Sequence, residues 1–171
     1  RGRQIETFIP GGKDSPEGPI SGWNATETGY YPCKFITESY SGLGWETSNP
    51  PWIWFRYGEV LLNYAEAMFK LGQEDVARQY INMIRSRPSV NMPPVTESGE
   101  ALWQRYIHER RIEMVFEEAR FYDVRRWKIA EEVFSIDRNR MYIKKDLATG
   151  KLTFEVKLLH TAYFPPHMYW A

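Results

Sequence analysis

"ERRIEMVFEEARFYDVRRW", residues Glu109 to Trp127, decides how this chain is read. Its nineteen positions hold ten charged and eight large apolar side chains. Five charges are acidic (Glu109, Glu113, Glu117, Glu118, Asp123) and five are basic (Arg110, Arg111, Arg120, Arg125, Arg126). On a helix, residues three and four apart are neighbours. Helical spacing therefore sets Arg110 beside Glu113, Glu113 beside Glu117, Glu117 beside Arg120, Arg120 beside Asp123, and Asp123 beside Arg126. Ile112, Val115, Phe116 and Ala119 fall on one stripe, while Phe121, Val124 and Trp127 fall elsewhere. Apolar surface on more than one side, with charges interleaved, suits a central helix wedged between others, its arginine and glutamate stems covered and their heads paired.

The same charges can be read as chemistry. Glu113 with Glu117 or Glu118 would make an acid–base pair of the glycoside-hydrolase kind, with one carboxyl desolvated and the other kept ionised. Here every acid has an arginine neighbour, which lowers a carboxyl pKa and opposes a general acid near neutral pH. The zinc-protease pattern His-Glu-x-x-His begins at His108 and Glu109, but its fifth position is Ile112, so the second ligand is missing. His160 and His167 lie in the tail without site-like spacing. No nucleophile-elbow sequence and no phosphate-cradling glycine loop is present. The residues point to no catalytic group, no metal and no cofactor.

Upstream, "FRYGEVLLNYAEAMFKLG" places Val60, Leu61, Tyr64, Ala65, Met68 and Phe69 on one helical stripe, and Gly72 supplies a stop. "EDVARQYINMIRSR" follows with Val76, Ala77, Tyr80, Ile81 and Ile84, ended by Pro88. The pair reads as an antiparallel helical hairpin over 55–88, with small and large positions resembling one tetratricopeptide repeat. A lone hairpin of this kind cannot bury its own faces, so it must pack on the rest of this chain or on further repeats. "PSVNMPPVTESG" leads into one long helix, from about Glu100 to Val133 within a 97–134 region, with Thr96 or Ser98 as cap. In 135–171, "RMYIKK" and "KLTFEVK" alternate apolar and polar residues around "DLATG", a β-hairpin, and the tail "LLHTAYFPPHMYW" is extended. Residues 1–54 are loop-rich, holding "IPGGKDSPEGPISGW" and "SGLGWETSNPPW" with a short extended "GYYPCKFI" between them.

Composition narrows the function classes. Lysine plus arginine number 22 and aspartate plus glutamate 22, so the net charge is zero. Such a balance gives no electrostatic case for nucleic acid or an anionic membrane surface. Cys33 is alone, which rules out an internal disulfide and a cysteine zinc cluster. No apolar run approaches 18 residues, so no transmembrane helix is expected. The first residues, "RGRQIETF", lack an initiator Met, and the chain reads as part of a longer protein. Asn24-Ala25-Thr26 matches the N-glycosylation pattern, which recurs often by chance. Phe, Trp and Tyr supply 27 residues, seven of them Trp. Most belong in a core, but some can form platforms for flat amphipathic ligands such as sugar rings.

Three pieces in order, "FRYGEVLLNYAEAMFKLG", "ARQYINMIRSR" and "ERRIEMVFEEARFYDVRRW", resemble the C-terminal half of the SusD/RagB family. "GYYPCKF" resembles that family's extended segment before the last repeat hairpin, and "HTAYFPP" resembles its tail. Departures are Glu118 and Ala119, where the family commonly has Gly and a basic residue, and Pro88, where Ala is usual. The resemblance implies a mainly α fold with a tetratricopeptide-type hairpin, a long central helix, irregular loops and a small β-hairpin. It further implies a non-catalytic, surface-exposed protein of the outer membrane, held by an N-terminal lipid anchor that this chain does not contain. Such proteins capture oligosaccharides for a SusC-like TonB-dependent transporter, the implied partner.

The residues themselves nominate where a sugar would sit. Trp23 and Trp45 lie in Gly/Ser/Pro loops, where a core role is less expected than for Trp103 or Trp127 on helices. Tyr40 and Trp52 are nearby in sequence, and Asn24, Glu46 and Asn49 can bond hydroxyls. The expected glycan-binding residues are therefore Trp23, Tyr40, Trp45 and Trp52. Two other readings stay open: a helical scaffold that holds only protein partners, and a glycoside hydrolase using Glu113 or Glu117.

Overall fold

The structure, a computed structural model, describes residues 5–16, 25–32, 34–35 and 51–165. The elements run α1 (Tyr57–Lys70), α2 (Glu74–Arg85), α3 (Gly99–Glu113), α4 (Ala119–Arg126), α5 (Ala130–Phe134), β1 (Arg138–Lys145) and β2 (Leu152–His160). This is the mainly helical class with a small β-hairpin that the sequence implied. None of the described helices is long and apolar enough to cross a membrane. The chain divides into two compact units, Pro51–Asp123 and a second made of Arg1–Pro50 with Val124–Ala171.

In Pro51–Asp123, α1 and α2 form the expected hairpin. Gly72 turns it with φ +76°, and the N–H groups of Gly72 and Gln73 cap the carbonyls of Phe69 and Met68 at 2.9 Å each. That left-handed turn needs glycine for its backbone, not for space, since a Cβ there would touch nothing. Leu61, Leu62 and Ala65 of α1 are buried, as are Ala77, Ile81 and Ile84 of α2. The α2 stripe is as expected, but the α1 stripe is rotated: Leu62 is buried while Val60 and Tyr64 are exposed. Leu102 and Tyr106 bring α3 into this core. Trp103 stacks between Phe69 and Tyr106, each centroid 5.3 Å away, and the Lys70 ammonium lies 3.6 Å from its ring centre.

The loop between α2 and α3 is pinned to α2. Asn82 accepts from the Val95 N–H at 2.7 Å and donates back to its carbonyl at 3.2 Å, and Arg85 Nε donates to the Pro93 carbonyl at 2.8 Å. Ser98 is the N-cap residue of α3, but its hydroxyl does not cap. Instead both carboxylate oxygens of Glu74 accept from the Gly99 N–H, at 3.2 and 3.1 Å. A carboxylate there also meets the positive end of the helix dipole.

The one long helix expected over 100–133 is corrected to three. α3 stops at Glu113, α4 begins at Ala119, and Phe116 and Glu118 both have φ +62°. A left-handed residue cannot continue a right-handed helix. A second left-handed residue, Lys128 at φ +59°, separates α4 from α5. Glu118 thus holds a backbone conformation that favours glycine.

In the second unit, β1 and β2 pair antiparallel, with Met141 opposite Val156 and Ile143 opposite Phe154. The Asp146–Gly150 connection is closed by Asp146 N–H to the Lys151 carbonyl and Gly150 N–H to the Asp146 carbonyl, at 2.9 and 2.7 Å. The Asp146 carboxylate caps the N–H groups of Thr149 and Ala148, which holds its pKa below the usual range. Ile9 lies along β1, its N–H on the Ile143 carbonyl and its carbonyl on the Lys145 N–H. Val124, Ala130 and Phe164 form a small buried cluster, so the tail is anchored by its phenylalanine.

Candidate functional site

The charged stretch pairs, but not along its own helix. Once the backbone turns at Met114–Glu118, carboxylates that helical spacing would place beside nearby arginines meet arginines from elsewhere. Arg110 Nε donates to Asp123 at 2.5 Å and its Nη1 to Asn63 at 2.7 Å; both charged side chains are about 95% buried. Arg85 of α2 holds Glu109 at 2.5 Å. Arg56, just before α1, reaches Glu113 through Nη1 at 2.6 Å and Glu117 through Nε at 2.8 Å. Its Nη2 also donates to the Glu113 main-chain carbonyl at 2.7 Å, one of the acceptors left open where α3 ends. Arg87 takes the other Glu113 oxygen at 2.6 Å. Gly58 makes room for this clamp, because a Cβ there would lie 2.4 Å from Arg56 Nη1.

These contacts decide what the acids can do. Burial pushes the Glu113 carboxyl upward, but hydrogen bonds from Arg87 and Arg56 outweigh it and leave the pKa below the ordinary value. The hydrogen bond to Glu117 leads in raising the Arg56 pKa. A carboxyl held anionic by two guanidinium groups is a poor proton donor. Glu113 and Glu117 both anchor Arg56.

Of the expected sugar-binding residues, Trp23, Tyr40 and Trp45 lie outside the described residues, as do Asn24, Glu46 and Asn49. Trp52 is 63% exposed. It stands in an irregular segment with Trp54 and Phe55, which are 85% and 78% exposed. Three consecutive large apolar residues, Ile53 to Phe55, are thus open to solvent, anchored at one end by the Arg56 clamp. Trp54 and Phe55 were not nominated from the sequence, although Trp54 lies two residues from Trp52. Trp103 and Trp127 are half-buried on or beside helices, consistent with structural roles.

A second feature escaped sequence reading altogether. The turn between α3 and α4 forms a concavity of about 510 Å³ lined by Met114, Phe116, Glu118, Arg120, Phe121 and Tyr122. That size lies within the ~300–1,000 Å³ of small-molecule sites. Phe116, Phe121 and Tyr122 are all exposed, and the rings of Phe121 and Tyr122 meet edge to face at 5.2 Å. Arg120 Nη1 is buried without a hydrogen-bond partner, a situation that costs about 1–3 kcal/mol. Burial, then repulsion from Arg111, lowers the Arg120 pKa, with Asp123 only partly opposing. A second concavity, of about 480 Å³ beside Gly72–Arg78, is lined by charges already paired with one another: Arg78 with Glu74 and Asp75.

The SusD family model matches residues 11–153. SusD-like protein P2 of Formosa agariphila is 35% identical over 124 residues, covering 61% of this chain and 25% of that protein. A SusD-like protein of Bacteroides fragilis, known from its crystal structure, is 38% identical with a TM-score of 0.60, over 77% of this chain and 24% of its own. The chain spans about a quarter of the length of each of these relatives. A family match over most of the chain and a shared helical fold agree with the three motifs. This chain belongs to the SusD family.

Proposed function

We propose that this protein is a non-catalytic, cell-surface glycan-capture protein that hands oligosaccharide to a SusC-like TonB-dependent transporter in the outer membrane, a lipid anchor elsewhere in the full-length protein holding it there. The observation that carries the reading is the exposed aromatic run at Trp52, Trp54 and Phe55 in a chain of this family. Aromatic faces stack on the C–H faces of sugar rings, and a capture protein needs no acid–base pair. The Arg56 clamp on Glu113 and Glu117 supports the non-catalytic part, since both carboxylates are already engaged. Trp23, Tyr40, Trp45 and Trp52 remain the proposed glycan contacts, with Trp54 added.

Calorimetry with neutral and acidic oligosaccharides on the full-length protein tests this. Binding that weakens in Trp52→Ala or Trp45→Ala supports both function and site. Binding unaffected by either substitution removes these residues from the site and leaves the capture role standing. Product release from an oligosaccharide that disappears in Glu113→Gln would restore the hydrolase reading. The exposed α1 face of Tyr57, Val60 and Tyr64 favours a second reading, a scaffold that holds only protein partners. That reading expects transporter complex formation with no sugar binding.

A further inference from the structure

We infer that the concavity of Phe116, Glu118, Arg120, Phe121 and Tyr122 is a saccharide subsite for an acidic sugar, one bearing a carboxylate or a sulfate group. The inference rests on the glycan-capture reading and names the ligand chemistry of one additional place on the same protein.

Three independent observations converge there. First, the charge is uncompensated. In Pro51–Asp123, Arg56, Arg78, Arg85, Arg87, Arg105 and Arg110 each hold a carboxylate. Arg120 holds none among the described residues, although Asp123 is three positions along α4, because Arg110 has taken that carboxylate. Arg111 adds a second positive charge near enough to lower the Arg120 pKa. Glu118 is the one acid of the lining, and Asp123, whose charge also reaches Arg120, is already bonded to Arg110. Second, the lining has the composition of a sugar site. Phe116, Phe121 and Tyr122 expose ring surface, and Glu118 can accept from sugar hydroxyls. Third, the wall is built from two left-handed non-glycine residues, Phe116 and Glu118, in the five-residue turn that separates α3 from α4. Such conformations cluster at ligand sites.

The recognition step is the gain of a partner. In the free protein Arg120 Nη1 is buried and unbonded. Rotation of the arginine side chain about its own stem turns the guanidinium toward an acceptor seated in the concavity. A planar carboxylate or a sulfate then gains charge-assisted bonds from the guanidinium, and the sugar ring stacks on the exposed aromatic surface.

The test is calorimetry on the intact protein with four probes. Tetragalacturonate supplies carboxylates, its methyl ester removes their charge at nearly unchanged shape, a sulfated galactan tetrasaccharide supplies sulfate, and maltotetraose is neutral. The expected result is that at least one anionic probe binds about tenfold more tightly than the neutral pair. That preference should disappear in Arg120→Gln at unchanged melting temperature. Tyr122→Ala, on an exposed side chain, should weaken the same probe without abolishing the charge preference. Which anionic probe wins identifies carboxylate or sulfate. Neutral probes binding as well as anionic ones, or a preference that survives in Arg120→Gln, overturns the subsite and spares glycan capture. No binding of any probe overturns both.

Discussion

Arg110 and Arg120 stand ten residues apart in the same stretch and meet opposite fates. Arg110 is buried and bonded to Asp123 and Asn63, whereas Arg120 lines an open concavity with a buried nitrogen unpaired. The backbone between them makes the difference. The left-handed turn at Phe116 and Glu118 folds α4 back so that Asp123 serves an arginine thirteen residues away instead of one three residues away. One region of the stretch is therefore a closed ionic scaffold, and the other is a surface with charge to spare.

The contrast can be broken most severely at Asp123. Asp123→Asn leaves Arg110 buried without its counter-ion, and urea unfolding should show a loss of about 3 kcal/mol. A loss below about 1 kcal/mol would mean that Asn63 alone satisfies Arg110.

Next comes Glu113, which holds Arg56 and Arg87 together. Glu113→Gln should lower stability by about 2 kcal/mol in the same measurement. Its folded-state pKa lies below the unfolded value, so its contribution is present above about pH 4.5 and is lost as pH falls through the folded pKa. An acid titration of the melting temperature should accordingly fall less steeply in the Gln variant than in the parent. Equal slopes would remove Glu113 from the acid response.

Two smaller effects sharpen the comparison from the other side. Glu118→Gly relieves a left-handed non-glycine backbone and should raise stability by up to about 1 kcal/mol, net of the entropy glycine adds to the unfolded chain. Arg120→Met removes a charge that has no partner, so the melting temperature should stay level or rise slightly. A clear fall would reveal a bond that Arg120 makes and would undercut the picture of a spare charge.

The helical hairpin was legible because its signals are local. Hydrophobic period and Gly72 each act within a few residues, and the β-hairpin at "DLATG" is fixed by Asp146 and Gly150 in the same way. The break after Glu113 was not legible, since no glycine or proline marks it. Its cause is tertiary: Arg56, nearly sixty positions upstream, bonds the Glu113 carbonyl and both acids. With the break unseen, helical spacing assigned the wrong partners to Glu113, Glu117 and Asp123, while the expectation that these charges are paired was correct. The turn at Glu118 carries no local signal, since glutamate ordinarily avoids a left-handed backbone. The concavity follows from that turn and was invisible for the same reason. Trp52 was nominated from its neighbourhood in the loop-rich segment and is exposed, whereas Trp54 in the same segment was passed over and Phe55 was read as the start of the helical hairpin.

The central claim is that the ionic part of the stretch supports the fold while ligand contacts lie on exposed aromatic surface beside it. The most direct test sets Glu113→Gln beside Arg120→Gln, measuring melting temperature and calorimetric affinity for the tightest-binding oligosaccharide on each. The expected result is a lower melting temperature with unchanged affinity for Glu113→Gln, and an unchanged melting temperature with weakened anionic binding for Arg120→Gln. Loss of affinity in Glu113→Gln at an unchanged melting temperature would contradict it.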